Sequence, residues 1–95
     1  MPNIKFYYLY RDSGNYKNFG YVVIDNPKNL SLAEFNAAIK SRLIDGEYFY
    51  ANEWNFPDLR FSNLDIDNDP TWHEFWKIEL TEGLATHKLP LTKSL

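Results

Sequence analysis

Hydrophobic residues recur with helical spacing in one stretch of the chain, residues 30–46, which reads LSLAEFNAAIKSRLIDG. A helix has about 3.6 residues per turn, so side chains three or four positions apart share a face. In this stretch the shared face is apolar and collects Leu32, Phe35, Ile39 and Leu43, with Ala38 beside them. The spacing therefore predicts an amphipathic helix with one buried stripe.

Both ends of this stretch carry residues that begin or end helices. Ser31 and Glu34 have the spacing of a capping box, in which each side chain accepts a hydrogen bond from the other residue's backbone N–H. Leu30 and Phe35 occupy the two positions of a hydrophobic staple. Gly46 suits the left-handed backbone that ends many helices. The sequence predicts a helix over residues 32–44.

Alternating apolar residues predict two strands before the helix. Residues 4–11, IKFYYLYR, are rich in β-formers and carry rings on both faces. Residues 20–25, GYVVID, form the second strand. The segment 12–20 between them is rich in turn residues, with the chain reversal predicted at residues 13–15, and this short connection favours an antiparallel hairpin.

Two further strands are predicted after the helix. Residues 47–54, EYFYANEW, alternate so that Tyr48, Tyr50 and Trp54 share one face. Residues 72–81, WHEFWKIELT, fit a strand and a helix almost equally, and their aromatic and β-branched content together with the preceding proline favours the strand. Its alternation puts Trp72, Trp76, Ile78 and Leu80 on one face. The connection 55–70 is long, so we expect an ordered or functional loop.

The order of elements is strand, strand, helix, strand, strand. It predicts one α+β domain over residues 1–95, with a mostly antiparallel sheet, the helix packed on one sheet face, a body at about residues 4–82 and an extended C-terminal arm at 83–95. This order resembles the β-grasp arrangement. The segments KFYYLYRDSGNYKNFG, LIDGEYFY and TWHEF also resemble an uncharacterised family of small bacterial proteins, a resemblance that implies no function.

Composition excludes several kinds of chemistry. The chain has no cysteine, which removes disulfides, thiolate metal sites and cysteine nucleophiles and fits a reducing compartment. No serine lies in a G-x-S-x-G motif, and the glycine spacing matches neither phosphate-binding fingerprint. The N-terminus lacks the features of a signal peptide, and no apolar run reaches the roughly 20 residues that span a bilayer. We therefore expect a soluble, cytoplasmic protein without a membrane contact.

Two polar clusters are candidates for a metal site. Asp65, Asp67 and Asp69 alternate as in a calcium-binding EF-hand loop, but Pro70 and Trp76 stand where that loop requires glycine and glutamate. His73 and Glu74 begin a zinc-protease motif whose second histidine is replaced by Lys77. A looser metal site from Asp65, Asp67, Asp69 and His73 remains an alternative to a solvated turn and a structural histidine.

Aromatic residues make up 18% of the chain, with three Trp, seven Tyr and seven Phe. So small a core holds only some of these rings, and exposed contiguous rings mark interaction sites. The candidate binding surface is Tyr7, Tyr48, Tyr50, Trp54 and Trp72, unless the tail or the 55–70 loop covers those rings.

The aromatic surplus, without a catalytic motif, predicts a non-enzymatic binding module that needs no cofactor. It would use a sheet face or an edge strand to bind another protein or a second copy of itself. One alternative is a small metal-assisted hydrolase that uses His73, Glu74 and the carboxylates of residues 58–69. The other is single-stranded nucleic-acid binding, which the net charge of -3 makes less favourable.

Overall fold

The computed structural model describes residues 2–62 and 67–88. Its sheet has four strands in the order β2-β1-β4-β3, and every pair is antiparallel. The α+β class with one helix is confirmed, whereas a β-grasp arrangement is not confirmed. The elements are β1 (Asn3–Arg11), β2 (Lys17–Ile24), α1 (Leu32–Lys40), β3 (Tyr48–Phe49) and β4 (His73–Thr81).

The first two strands form the expected hairpin, and β2 begins three residues earlier than the sequence predicts. Ile4 lies opposite Ile24 at one end of the ladder, and Arg11 lies opposite Lys17 at the other. The turn is closed by the N–H of Asp12, which donates to the carbonyl of Tyr16 at 3.0 Å. Asn15 takes a left-handed φ of 67° there, which asparagine tolerates better than most residues.

A β-bulge interrupts β4 and places the ring of Trp76 on the sheet face opposite to the one that strict alternation predicts. Tyr7 lies opposite Lys77, but its neighbour Tyr8 lies opposite Phe75, so Trp76 is an extra residue in the ladder. The expectation that Trp76 shares a face with Ile78 and Leu80 is wrong, because strict alternation holds only where no residue is inserted. Trp76 instead contacts Tyr7, on the opposite face of the sheet.

The core covers one face of the sheet. Phe6 and Tyr8 of β1 are fully buried there, and Phe35 and Ile39 of α1 pack onto it. The same face continues along β2 through Val22 and Ile24, because residues directly opposite in a ladder share a face. Burial therefore alternates along residues 4–8 of β1, whereas Leu9, on the opposite face, is buried as well.

The helix has the predicted start and a different end. The Ser31 hydroxyl accepts from the N–H of Glu34 at 3.1 Å, and the Glu34 carboxylate accepts from the N–H of Ser31 at 3.0 Å, so the capping box is confirmed. The helix ends at Lys40, short of the predicted residue 44. Gly46, with φ 71°, lies instead in the turn that joins Ile44 to its bridge partner Tyr48. Leu32 is 37% exposed and lies outside the buried stripe.

The third strand has two residues, not the predicted eight. After Phe49 the chain turns, and the N–H of Trp54 donates to the carbonyls of Tyr50 and Ala51. Trp54 enters the core, with its ring centroid 4.7 Å from that of Phe49. The predicted shared face of Tyr48, Tyr50 and Trp54 is therefore wrong, since a turn does not keep the alternation of a strand.

Residues 55–62 cover the part of the core face that the short helix leaves open. The Tyr8 hydroxyl donates to the carbonyl of Pro57 at 2.6 Å, and the Asn18 amide donates to the carbonyl of Leu59 at 3.0 Å. A Cβ at Gly20 would lie 3.0 Å from a methyl carbon of Leu59, so the glycine lets this segment approach β2 closely. The 55–70 connection is thus packed against the core through its first half.

In the described part of the C-terminal arm, Thr86 and His87 lie along the outer edge of β2. The N–H groups of Thr86 and His87 donate to the carbonyl of Val23 at 2.9 and 3.0 Å, and the carbonyl of His87 accepts from the N–H of Asp25 at 3.0 Å. Among the described residues no helix has the length and apolar character needed to cross a bilayer.

Candidate functional site

The sheet face opposite the core carries a cluster of four rings, which we call the aromatic patch. Tyr7 of β1 lies directly opposite Tyr21 of β2, and their ring centroids are 5.9 Å apart. The bulge brings Trp76 of β4 to 5.7 Å from Tyr7 and 5.4 Å from Phe19 of β2. Three strands thus bring together Tyr7, Phe19, Tyr21 and Trp76.

The aromatic patch is open to solvent over much of its area. Phe19 is 54% exposed, Tyr21 56% and Trp76 51%, while Tyr7 is half-buried between its neighbours. Seven of the seventeen rings of this chain are buried instead, namely Phe6, Tyr8, Tyr10, Phe35, Phe49, Trp54 and Phe56. Contiguous apolar area left exposed on a folded domain marks an interaction site.

Two lysines lie over the rings of the patch. The Nζ atom of Lys5 is 4.2 Å from the ring centroid of Tyr21. The Nζ atom of Lys77 is 4.9 Å from that of Tyr7 and 4.8 Å from that of Trp76. An ammonium over a ring face is attracted by the ring quadrupole, and its methylene stem covers apolar surface. The patch is therefore cationic in a chain whose net charge is -3.

A second pair of rings lies on the open face, at the end near the hairpin turn. Tyr48 is opposite Glu74 in the ladder, and its ring centroid is 6.0 Å from that of Trp72. The salt bridge between Arg11 and Glu74, at 2.8 Å, lies on the same face. Of the five rings that the sequence nominates, Tyr7 is in the patch and Tyr48 and Trp72 form this separate pair.

The other two nominated rings lie elsewhere. Trp54 is 6% exposed and belongs to the core. Tyr50 is half-buried and lines a cavity of about 300 Å³ together with Asp58, Arg60 and His73. These two residues do not join the surface formed by the aromatic patch.

His73 is buried on the core side of the sheet and lines that cavity. Its Nε2 atom accepts from the N–H of Leu59 at 3.0 Å and lies 3.5 Å from a carboxylate oxygen of Asp58. Burial lowers the pKa of His73 below its usual value, although the Asp58 charge opposes this shift. A neutral imidazole that accepts from a backbone N–H holds residues 55–62 against the sheet, which is a structural role.

The nominated carboxylates Asp67, Asp69 and Glu74 line a different cavity from the one that His73 lines. Glu74 lies on the open face, paired with Arg11, and so points away from its neighbour His73. Asp69 accepts from the N–H and the hydroxyl of Ser13, at 2.9 and 2.7 Å, and thereby fastens the hairpin turn. Asp67 is exposed, and Asp65 lies outside the described residues. Within residues 2–62 and 67–88 no three acidic, histidine or cysteine side chains are grouped to hold a metal ion.

Sequence reasoning missed three of the four rings of the patch. Phe19 lies in a segment assigned to the turn, because its many turn residues hid the start of β2. Tyr21 could have been found, since pairing two alternating strands across a hairpin places rings opposite one another. Trp76 could not, because residues 72–81 contain no glycine or other signal of an inserted residue.

Comparisons of this chain with protein-family models, with curated proteins and with solved structures find no match.

Proposed function

We propose that this chain is a non-enzymatic interaction module that binds another protein through the aromatic patch. The observation that carries the proposal is the exposure of Phe19, Tyr21 and Trp76, each more than half exposed on one face of the sheet. Aromatic side chains are enriched at protein interfaces because they bury a large area while fixing few torsions. The cysteine-free composition supports a cytoplasmic setting.

The charges around the patch indicate the chemistry of the partner. Lys5 and Lys77 lie over the rings, so a complementary surface would offer apolar side chains at its centre and carboxylates at its rim. Glu79, opposite Lys5 in the ladder, and Glu74 near the hairpin turn limit the cationic area to the middle of the face. A surface that combines rings with ammonium groups in this way fits a folded protein.

The test compares two pairs of substitutions that remove the same residue types from the same sheet face. Tyr21→Ser with Trp76→Ser removes two rings of the aromatic patch, and Tyr48→Ser with Trp72→Ser removes both rings of the separate pair. Proteins retained from host extract by immobilised wild type and by each double variant are quantified by mass spectrometry. The affinity of the retained protein for each purified variant is then measured by calorimetry.

We expect one protein to bind wild type and the Tyr48/Trp72 variant alike and to bind the Tyr21/Trp76 variant about tenfold or more weakly, as loss of central interface rings does. Equal binding to all three chains would overturn the assignment to the patch. Circular dichroism of each variant confirms that the fold is kept.

The same patch favours a second candidate, single-stranded nucleic-acid binding. Rings with neighbouring lysines are the elements that stack bases and contact phosphates. The ring planes of Tyr7, Tyr21 and Trp76 are tilted by 50° and 68° to one another, and ammonium groups already lie over them, which makes base stacking the weaker reading. Fluorescence anisotropy with labelled oligonucleotides tests it: binding that weakens steeply with salt supports it, and no binding at low salt rejects it.

A further inference from the structure

The outer edge of β2 has a defined pattern of backbone groups. At the hairpin turn, the carbonyl of Tyr16 accepts from the N–H of Asp12, so the even-numbered residues of this strand direct their backbone groups toward β1. At the other end, the N–H and carbonyl of Val23 and the N–H of Asp25 bond to the C-terminal arm. The odd-numbered residues therefore direct their N–H and C=O groups outward, that is, away from β1 in the plane of the sheet.

Three outward-facing residues remain on this edge between the turn and the arm: Lys17, Phe19 and Tyr21. Among the described residues, none donates to or accepts from their outward backbone groups. All three side chains are exposed. An edge of this kind offers a row of hydrogen-bonding groups to another strand.

We propose that residues 17–21 pair with the same residues of a second copy of this chain, as antiparallel strands related by a two-fold axis at Phe19. Lys17 then lies opposite Tyr21 of the second copy, and the two Phe19 residues lie opposite each other. The inference goes beyond the proposed function, because it concerns the strand edge and stands whether or not the aromatic patch binds a partner.

Only this register uses every unpaired group of the edge. Outward-facing residues must lie opposite outward-facing residues, so the strands can shift only in steps of two. A shift one way would place Lys17 opposite Val23, whose N–H and carbonyl already bond to Thr86 and His87. A shift the other way would place Tyr21 opposite Asn15, which has a left-handed backbone. The centred register forms about six backbone hydrogen bonds.

The side chains of this segment also suit a two-fold partner. The Lys17 ammonium would lie beside the exposed ring of Tyr21 of the second copy, and each such pair occurs twice. No like charges lie opposite one another in this register. Since Phe19 and Tyr21 belong to the aromatic patch, the two patches would join across the axis into one continuous face of eight strands. A second copy of the chain thus supplies both the backbone hydrogen-bond partners and the side-chain contacts of residues 17–21.

Single cysteines test the register directly, because the chain has none of its own. Directly opposite residues have Cα atoms about 5.5 Å apart, within the range that a disulfide spans. Phe19→Cys should therefore form an interchain disulfide under mild oxidation. Lys17→Cys alone should not, because its two copies would be about 14 Å apart. When the Lys17→Cys and Tyr21→Cys variants are mixed, a disulfide should join residue 17 of one chain to residue 21 of the other.

A proline then tests the backbone hydrogen bonds. The N–H of Lys17 points outward, so Lys17→Pro removes it without breaking a bond to β1, and proline is tolerated at the first residue of an edge strand. Lys17→Ala is the matched control, since it loses the same side chain and keeps the N–H. Sedimentation equilibrium should give a dimer dissociation constant about tenfold or more higher for the proline variant than for the alanine variant.

Three outcomes would overturn the inference: a monomeric wild type at all concentrations, equal dimerisation of the proline and alanine variants, or cross-linking of Lys17→Cys alone. The calorimetry described for the aromatic patch is repeated with Lys17→Pro. A strictly monomeric wild type that binds the partner would reject the dimer and leave the proposed function intact, whereas a Lys17→Pro variant that has lost dimerisation and still binds the partner would support the dimer and show that the partner does not need it.

Discussion

At the scale of single residues, His73 shows how a buried side chain fixes a loop. Its Nε2 atom accepts from the N–H of Leu59, a bond that only the neutral ring with its proton on Nδ1 can make. Burial lowers its pKa, so a falling pH protonates the unfolded chain before the folded one. The stabilising effect of His73 is complete above about pH 6.5, the usual histidine pKa, and is lost progressively below it.

This linkage predicts the pH dependence of stability. The free energy of unfolding, measured by urea denaturation between about pH 8 and pH 5.5, should stay level above pH 6.5 and decline below it. His73→Gln should remove most of the decline. His87→Gln is the matched control and should keep it. The measurements stop at about pH 5.5 so that the carboxylates stay ionised. An unchanged decline in the His73 variant would contradict this role.

Tyr8 supports the same loop from the neighbouring strand. It is fully buried, its hydroxyl donates to the carbonyl of Pro57 at 2.6 Å, and burial together with the Asp58 charge raises its pKa to about 12. Tyr8→Phe leaves that carbonyl without its donor, so we expect a loss of about 1 kcal/mol in the free energy of unfolding. Tyr21→Phe, at an exposed ring, should stay within about 0.5 kcal/mol of wild type in the same denaturation assay. Equal values for the two variants would show that the Pro57 bond contributes nothing.

At the scale of secondary-structure elements, the short helix depends on its capping box. Isolated helices of this length are marginal in water, so the reciprocal bonds of Ser31 and Glu34 matter more than in a long helix. Ser31→Ala should lower the free energy of unfolding by about 1 kcal/mol. Ser62→Ala, at an exposed residue outside the helix, should leave it unchanged within about 0.5 kcal/mol. Thermal denaturation followed by circular dichroism compares the two, and equal midpoints would mean that the cap does not stabilise the fold.

Some elements of the fold can be predicted from neighbouring residues in the sequence, and others cannot. The capping box and the alternation of β1 are readable because each depends on neighbours in sequence. The predicted strand at 47–54 failed after Phe49, because the alternating rings of EYFYANEW fit a turn that places Phe49 and Trp54 in one core cluster. The bulge at Trp76 is set by pairing with β1, a contact between distant parts of the chain, and so no local pattern shows it.

The same division holds for the candidate site. Alternation within β1 alone places Tyr7 on the face that carries Lys5. Whether the rings are covered depends on residues 55–62, which pack on the opposite face through Tyr8 and Gly20. Only the three-dimensional arrangement shows that this segment leaves the aromatic patch open.

At the scale of the whole molecule, an exposed aromatic face favours self-association, and a small net charge opposes it only weakly. Lys5 and Lys77 limit this association. The Nζ atoms of Lys5 and Lys77 lie within 5.1 Å of ring centroids of the patch. Their methylene groups therefore cover part of the apolar ring surface, and their ammonium groups keep water bound above it. Like-signed ammonium groups on this face also repel a second face of the same kind. Both effects should limit face-to-face association and leave the patch available to a complementary surface.

Removing both lysines tests this protection. The double variant Lys5→Ser with Lys77→Ser should bind the dye ANS several-fold more strongly and scatter more light at high concentration, because the ring faces lose their cover. Lys28→Ser with Lys88→Ser is the matched control: it removes the same two charges, so the net charge changes from -3 to about -5 in both variants. A rise confined to the Lys5/Lys77 variant assigns the protection to these contacts, whereas an equal rise in both would assign it to net charge alone.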